Sequence, residues 1–104
     1  MLELKANNDL LGELERLSDE RLGPILVSRQ TLRTALNRFL AHELDGRNLT
    51  LWAALIEAYD FIEYEPKSAK VIADILFYIS SPEINGQLSP ELCRQYLDKL
   101  LYSG

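Results

Sequence analysis

Apolar residues recur at three- and four-residue steps along most of the chain, and this spacing is typical of amphipathic α-helices. The pattern predicts five helices. Their apolar faces carry, in chain order, Leu10, Leu14, Leu17 and Leu22; Leu32, Leu36, Phe39, Leu40 and Leu44; Trp52, Leu55, Ile56 and Tyr59; Val71, Ile72, Ile75, Leu76, Tyr78 and Ile79; and Leu92, Cys93, Tyr96, Leu97, Leu100 and Leu101. The fourth helix is apolar over most of its circumference, so we expect it to be largely buried at the centre of the molecule.

Capping residues and helix breakers set the expected ends of the second and third helices. Ser28 is a favourable N-cap for the second helix. The pair Asp45 and Gly46 is expected to end that helix, because glycine readily adopts the left-handed conformation that follows many helices. Asn48 or Thr50 is then expected to cap the third helix.

The remaining helices have signals of the same kind. Asn8 is the expected N-cap of the first helix, and Pro24 follows its end. Pro66 suits the first turn of the fourth helix, since the N–H that proline lacks would have no partner there. Ser89 followed by Pro90 is a strong start signal for the fifth helix.

Only two segments have a β-like composition, and both are short. Residues 24–27 have the sequence PILV and residues 61–64 have the sequence FIEY. Neither alternates apolar and polar residues long enough to indicate a sheet, so we expect both to be connectors. We therefore predict an all-α fold, a compact bundle of four to five antiparallel helices with short loops, in which residues 1–104 form a single domain.

The chain is acidic, with 11 Lys and Arg residues against 16 Asp and Glu residues, a net charge of −5 at pH 7 and a pI of about 4.8. Nucleic-acid binding depends on clustered Lys and Arg, so this composition argues against a nucleic-acid partner. Arg29, Arg33 and Arg38 do not form one ridge of the second helix, because Arg38 is about 140° from Arg33 around the helix axis. The charge favours a basic protein partner instead.

Several features indicate a protein of the reducing cytoplasm. The longest nearly continuous apolar stretch, residues 71–79, is much shorter than the roughly 20 residues that span a bilayer. Cys93 is the only cysteine, so it has no partner for an intramolecular disulfide. The N-terminal residues show no signal peptide. We expect a cytoplasmic protein without a membrane partner.

Residues with catalytic potential are few. His42 is the only histidine and Cys93 the only cysteine, and His42 falls near the end of the second helix, where its charge complements the helix dipole. The sequence lacks GxSxG, HExxH, CxxC and phosphate-binding-loop motifs. A zinc site would need two carboxylates in addition to His42 and Cys93. We therefore expect no catalytic, metal or cofactor site, and a protein that is not an enzyme.

The segment EAYDFIEYE, residues 57–65, combines four carboxylates with aromatic residues and contains no basic residue. Acidic groups beside aromatic anchors suit a surface that docks a basic protein, since aromatic rings supply contact area and carboxylates supply steering and selectivity. The candidate partner-binding residues are Glu57, Tyr59, Asp60, Glu63, Tyr64 and Glu65.

Other interpretations of this segment stay open. In the simplest one it is the solvated end of a helix, with Phe61 and Ile62 in the core and with Lys67 and Lys70 balancing the negative charge locally. A general acid–base pair would need a cleft that separates the pKa values of two carboxylates. A hard-cation site would need a glycine-containing loop with Asp and Asn at regular spacing. The sequence shows neither of these two signatures.

The stretches RFLAHELDGRNLTLWAALIEAYDFIEYEP and SPEINGQLSPEL resemble small bacterial immunity proteins, which neutralise colicin-type or contact-dependent nuclease toxins. Short bacterial proteins with no assigned function contain similar stretches. The likeness covers residues 38–92: a helix that ends in an FLxxxL phrase, a tight turn, and a second helix that bears a tryptophan. The chain departs from the DNase-immunity pattern, in which two tyrosines precede a proline, because Glu65 separates Tyr64 from Pro66. The resemblance implies a non-catalytic inhibitor that covers a basic nuclease surface with acidic and aromatic residues.

The sequence thus supports two functional hypotheses. The first is a non-catalytic binding protein, an immunity- or antitoxin-like inhibitor whose basic partner is a nuclease toxin. Salt is expected to weaken such a complex mainly by slowing its association. The second is a structural or assembly module that forms a homodimer through an apolar helical face. Exposed members of the set Trp52, Tyr78, Tyr96 and Tyr102 would seal that dimer.

Overall fold

The computed structural model describes residues 2–7, 9–19 and 23–102 of the chain. The described residues are mostly helical, with α-helices α1 (Leu10–Asp19), α2 (Arg29–Leu40), α3 (Gly46–Ala58), α4 (Ala69–Ser80), α5 (Pro82–Asn85) and α6 (Pro90–Leu101). A single 3-10 turn, Pro66–Ser68, precedes α4. Three short strands, β1 (Leu2–Glu3), β2 (Ile25–Val27) and β3 (Ile62–Tyr64), form a parallel sheet in the order β1-β2-β3. The fold is therefore mostly helical but not all-α, and the antiparallel order of the helices stays a prediction.

The sheet shows that the prediction of PILV and FIEY as connectors is wrong. β2 and β3 lie within these two segments, and they pair with each other although α2 and α3 separate them along the chain. Strands of two or three residues are too short for alternation to be recognised. A strand in a parallel sheet also tends to be a continuous apolar run, as β2 is. The pairing is a long-range contact that the local pattern does not encode.

The two faces of the sheet differ in exposure. Ile25 and Val27 are buried on one face, at 3% and 0% exposed. The register places Glu3, Leu26 and Glu63 side by side on the other face, where both carboxylates are exposed and Leu26 is half-buried. β1 is connected to β2 through α1, and β2 is connected to β3 through α2 and α3. Because α1 contacts α3, both connections lie on the same side of the sheet. Right-handed crossovers in the strand order β1-β2-β3 require this arrangement. We call the face that carries Glu3, Leu26 and Glu63 the open face.

The end of α2 differs from the prediction. His42, rather than Gly46, adopts the left-handed conformation, with a φ of 62°. The N–H of His42 donates to the carbonyl of Phe39 at 3.1 Å, and the N–H of Glu43 donates to the carbonyl of Arg38 at 2.9 Å. These two bonds form a Schellman motif, which closes the helix with a histidine in the position that glycine usually takes.

Asp45 caps the start of α3. Its Oδ1 accepts a hydrogen bond from the N–H of Asn48 at 2.7 Å, a typical N-cap contact. Gly46 is the first residue of α3. The predictions that Asp45 and Gly46 end the second helix, and that Asn48 or Thr50 caps the third, are therefore wrong. Aspartate before glycine suits either a helix end or a helix start, and the local pattern does not separate the two.

Two other predicted helix starts are confirmed, and a third is displaced. Ser28 caps α2 through a capping box, in which its Oγ accepts the N–H of the residue three positions on, at 3.1 Å. Pro66 opens a 3-10 turn that runs into α4, and the α-helix itself begins at Ala69, three residues later than predicted. Ser89 caps α6, and its Oγ accepts the N–H three positions on at 3.1 Å. Asn8 and Leu22 lie outside the described residues.

The core lies between the helices and the inner face of the sheet. α3 packs along α4, and α4 buries one face against the core, while Lys70, Asp74 and Phe77 are exposed on the opposite face, so the helix is less buried than its apolar pattern predicts. Its buried residues are Ile72, Ile75, Leu76 and Ile79. Phe77 of the same helix is 46% exposed. Trp52 of α3 is completely buried, and its Nε1 has no hydrogen-bond partner among the described residues.

Candidate functional site

The acidic segment, residues 57–65, leaves the helical layer and joins the edge of the sheet. Two bonds from the N–H of Tyr59, to the carbonyls of Leu55 and Ile56, close the end of α3. The carbonyl of Phe61 then accepts the N–H of Ile25, which begins the pairing with β2. The six candidate residues are thus divided between a helix end, a turn and a strand, and their neighbours differ accordingly.

Glu57 links the end of α3 to the end of α4. Its Oε1 accepts a hydrogen bond from Oγ of Ser80. Tyr64 lies near the same carboxylate: burial raises the pKa of the Tyr64 phenol above its ordinary value of 10.0, and the negative charge of Glu57 raises it further. Although Glu57 is exposed, its carboxylate already accepts a hydrogen bond within the protein.

Glu65 stabilises the start of α2. Its Oε1 accepts a hydrogen bond from the N–H of Arg29 at 2.8 Å. Glu3 reaches the same helix end from β1, and its Oε2 accepts a hydrogen bond from Oγ of Ser28 at 2.6 Å. Carboxylates at a helix N-terminus bind N–H groups that lack helical partners and complement the positive end of the helix dipole. Glu65 is therefore engaged within the fold.

Asp60 and Glu63 are exposed, and among the described residues neither side chain has a hydrogen-bond or ion-pair partner. Asp60 lies in the turn after α3, and Glu63 lies in the middle of β3 on the open face. Lys70, which was expected to balance the charge of this segment, instead pairs with Asp74 at 3.1 Å. The negative charges of Asp60 and Glu63 are available to a partner.

Phe61 is the exposed aromatic residue of the segment, at 70%. Its carbonyl already pairs with Ile25 at 2.8 Å, so the alternation of β3 extends back to Phe61 and places its ring on the same face as Glu63. Tyr59 and Tyr64 are half-buried and pack against the core. The expectation that Phe61 belongs to the core is wrong, and alternation within FIEY is the signal that identifies its exposure.

Asp60, Phe61 and Glu63 form a small surface in which two free carboxylates lie next to an exposed ring. We call these three residues the acidic patch. Two of its residues, Asp60 and Glu63, are among the six predicted candidates, and Phe61 is an addition. The other candidates contribute to folding through hydrogen bonds or core packing.

A separate pocket of about 210 Å³ lies between α1, the end of α2 and the start of α3. Its polar lining includes Asp9, Arg38 and Glu43. Nη1 of Arg38 donates to the carbonyl of Ala6 at 3.0 Å, and its Nε lies 3.7 Å from the Glu43 carboxylate. The lining includes no residue of the acidic segment, so the pocket and the acidic patch are distinct features.

The reactive side chains that the sequence singles out lie outside the acidic segment, on α6 and in the turn after α2. Sγ of Cys93 donates to the carbonyl of Leu36 at 3.3 Å, and burial raises the pKa of the Cys93 thiol to about 11. A thiol with this pKa is protonated at neutral pH and is a weak nucleophile. His42 is exposed in the turn after α2.

Two further observations concern the part of the chain that the structure describes. In that part, no group of three or more His, Cys, Asp or Glu side chains is arranged to hold a metal ion. No described helix combines the length and the apolar character needed to cross a bilayer.

No protein-family model matches the sequence, and comparisons with curated proteins and with solved structures found no match. A functional assignment therefore depends on the surfaces described above.

Proposed function

We propose that this protein is a non-catalytic binding domain that docks a basic protein through the acidic patch, as an immunity- or antitoxin-like inhibitor. The observation that carries the proposal is the exposure of Asp60 and Glu63, which have no partner among the described residues, beside a ring that is 70% exposed. Glu57 and Glu65 of the same segment are used for folding. The two remaining carboxylates have no comparable role within the described structure.

The chemistry of the patch suits a basic surface. The ring of Phe61 offers apolar area and a π-face to a Lys or Arg side chain. Asp60 and Glu63 can pair with other basic groups around that contact. The net charge of −5 adds long-range attraction, which speeds the encounter with a positively charged partner. A nuclease toxin fits this description, since enzymes that act on nucleic acids carry basic surfaces for the phosphate backbone.

Affinity capture from a lysate of the source organism tests this proposal. One bait is the wild-type chain, and the second is the double variant Asp60→Lys/Glu63→Lys. The control is Glu91→Lys/Asp98→Lys, which makes the same change in net charge on the exposed side of α6. The two control changes lie near opposite ends of α6, so their interactions with the helix dipole offset each other.

We expect a basic protein to be recovered by the wild type and by the α6 control, but not by the patch variant, once circular dichroism shows that all three baits fold alike. The physical reason is that the patch variant reverses the local charge that the partner meets, while the control reverses it elsewhere. Equal recovery by all three baits would contradict docking through the acidic patch.

A structural or assembly module that forms a homodimer is the second candidate function. It is favoured by large apolar side chains that are exposed on helices, namely Leu51, Phe77, Ile84 and Leu101. Of the aromatic residues expected at such an interface, Trp52 and Tyr96 are buried, whereas Tyr102 is 84% exposed. Light scattering separates the candidates, because a salt-independent dimer supports the module and a monomer supports the acidic patch.

A further inference from the structure

The open face is an unusual feature for parallel strands. Parallel sheets are normally covered by helices on both faces, because crossover connections pack against them. Here the contact between α1 and α3 places the connections on one side. On the other side, Glu3 and Glu63 are exposed and Leu26 is only half-buried. Three segments that are distant along the chain therefore build one solvent-facing surface.

On this surface one carboxylate lies on each side of an apolar residue. Neighbouring strands are about 4.8 Å apart, so the backbone positions of Glu3 and Glu63 are about 10 Å apart, with Leu26 midway between them. Phe61 extends the apolar area along β3. Glu3 accepts one hydrogen bond from Ser28, but an ionised carboxylate has further acceptor sites, so its charge still acts at the surface.

Among the residues that the structure describes, the balance of charge around the open face is negative. Lys5 follows Glu3 by two residues, and strand alternation places it on the same side. It offsets one carboxylate, but Asp60 adds another in the turn before β3. The face is therefore complementary to positive charge. A second copy of this chain would bring like charges together, because each copy is acidic.

We propose that the open face, together with Phe61, receives an Arg- or Lys-rich segment of the basic partner, so that the interface continues from the acidic patch across β2 to β1. This inference rests on the proposed function and names the surface and the chemistry that the partner presents. Arg and Lys have apolar stems that pack against Leu26 and Phe61, while their charged ends reach Glu3 and Glu63. Such a segment presents basic groups about 10 Å apart, to match the two carboxylates.

Chemical-shift mapping of the ¹⁵N-labelled wild-type chain with decaarginine tests the inference. This probe offers basic groups at every spacing that the open face could accept. We expect the amide signals of Glu3, Leu26, Phe61 and Glu63 to move together and to give one dissociation constant. Shifts confined to Phe61 and the turn before it would overturn the inference but leave the acidic patch in place. Shifts spread evenly over all carboxylates, those of α6 included, would contradict both proposals.

The variant Leu26→Lys separates the open face from the acidic patch. Leu26 points away from the core, so a lysine there places positive charge between the two carboxylates without opening a cavity. We expect decaarginine to bind this variant about tenfold more weakly than the wild type, because like charges are brought together. Asp98→Lys makes a larger change in net charge away from the sheet, and we expect it to weaken binding less than about twofold.

Equal weakening by the two variants would overturn the inference, because the effect would then follow net charge alone. Circular dichroism shows whether Leu26→Lys folds. If it does not, the shift map of the wild-type chain decides the question without a variant.

Discussion

At the scale of single residues, the left-handed backbone of His42 is the clearest departure from the sequence pattern. A side chain with a Cβ costs about 1–2 kcal/mol in this conformation, and Gly46, four residues later, does not adopt it. α3, which Asp45 caps, begins at Gly46, and this start places Leu49 and Trp52 on its buried face. Burial in the core outweighs the local preference, so the turn closes at a histidine.

Replacement of His42 by glycine is expected to stabilise the protein by about 1 kcal/mol, since glycine adopts positive φ values without steric cost. The matched comparison is Gly46→Ala. A Cβ at Gly46 would meet only Cε1 of Phe39, at 3.6 Å, so alanine is expected to be neutral or stabilising by up to about 1 kcal/mol. Urea denaturation measures both changes. Destabilisation by Gly46→Ala, with no effect of His42→Gly, would show that the left-handed residue is Gly46.

The raised pKa of the Cys93 thiol predicts that the protein loses stability at alkaline pH. This pKa is about 11 in the folded protein, against an ordinary value of 9.0, so the folded state holds the thiol proton more tightly. This contribution is complete below pH 9 and is lost as pH rises through about 11, by an amount on the order of 2 kcal/mol. Burial also raises the pKa of Tyr64 and Tyr96 above 10.0, which acts in the same direction at higher pH.

Denaturation midpoints of the wild type and of Cys93→Ala, compared between pH 9 and pH 10, isolate the thiol, because Tyr64 and Tyr96, whose pKa values are also raised, are present in both proteins. We expect the wild type to lose stability over this interval and the alanine variant to lose clearly less. The absolute stability of the variant is not the readout, since alanine also leaves space in the core. Identical pH slopes for the two proteins would contradict the raised pKa of Cys93.

At the scale of secondary structure, the sequence predicts elements that carry their own signal. A long helix repeats its apolar face over several turns, so the pattern is visible without knowledge of the tertiary fold. The four-residue α5 and the three strands are too short to repeat an apolar face, and the segments of β2 and β3 are predicted as connectors. The strands form because β2 pairs with both β1 and β3. The residues of each strand alone do not show that such a pairing with a distant segment will occur.

Glu65→Gln is expected to destabilise the protein by about 1 kcal/mol. It weakens the charge-assisted bond to the N–H of Arg29 and removes a negative charge from the start of α2. Glu63→Gln is the matched control, because Glu63 lies two residues away and has no partner among the described residues. Its effect is expected to stay within about 0.5 kcal/mol. Thermal denaturation that gives equal losses for both variants would contradict the structural role of Glu65.

At the scale of the whole molecule, composition identifies the region of the candidate site, the acidic segment, but not which of its residues are available to a partner. The unbalanced charge of residues 57–65 identifies the region directly from the sequence. Which carboxylates are free depends on Ser80 and Arg29, which approach from α4 and α2. The open face is harder to predict, because Glu3, Leu26 and Glu63 become neighbours only when the sheet assembles.

The central claim is that free carboxylates of the acidic patch dock a basic protein, and the salt dependence of association tests it most directly. The measurement is the association rate of the captured basic partner with the wild type, with Asp60→Lys/Glu63→Lys and with the α6 control. Ionic strength is raised from about 0.02 M to about 0.2 M, because this shortens the screening length from roughly 20 Å to below 10 Å.

We expect the wild-type association rate to fall steeply over this range, since electrostatic steering accelerates the encounter. The patch variant is expected to associate slowly and with little dependence on salt, while the α6 control keeps most of the wild-type behaviour. A wild-type rate that does not change with ionic strength, or a patch variant that associates as fast as the wild type, would contradict docking through the acidic patch.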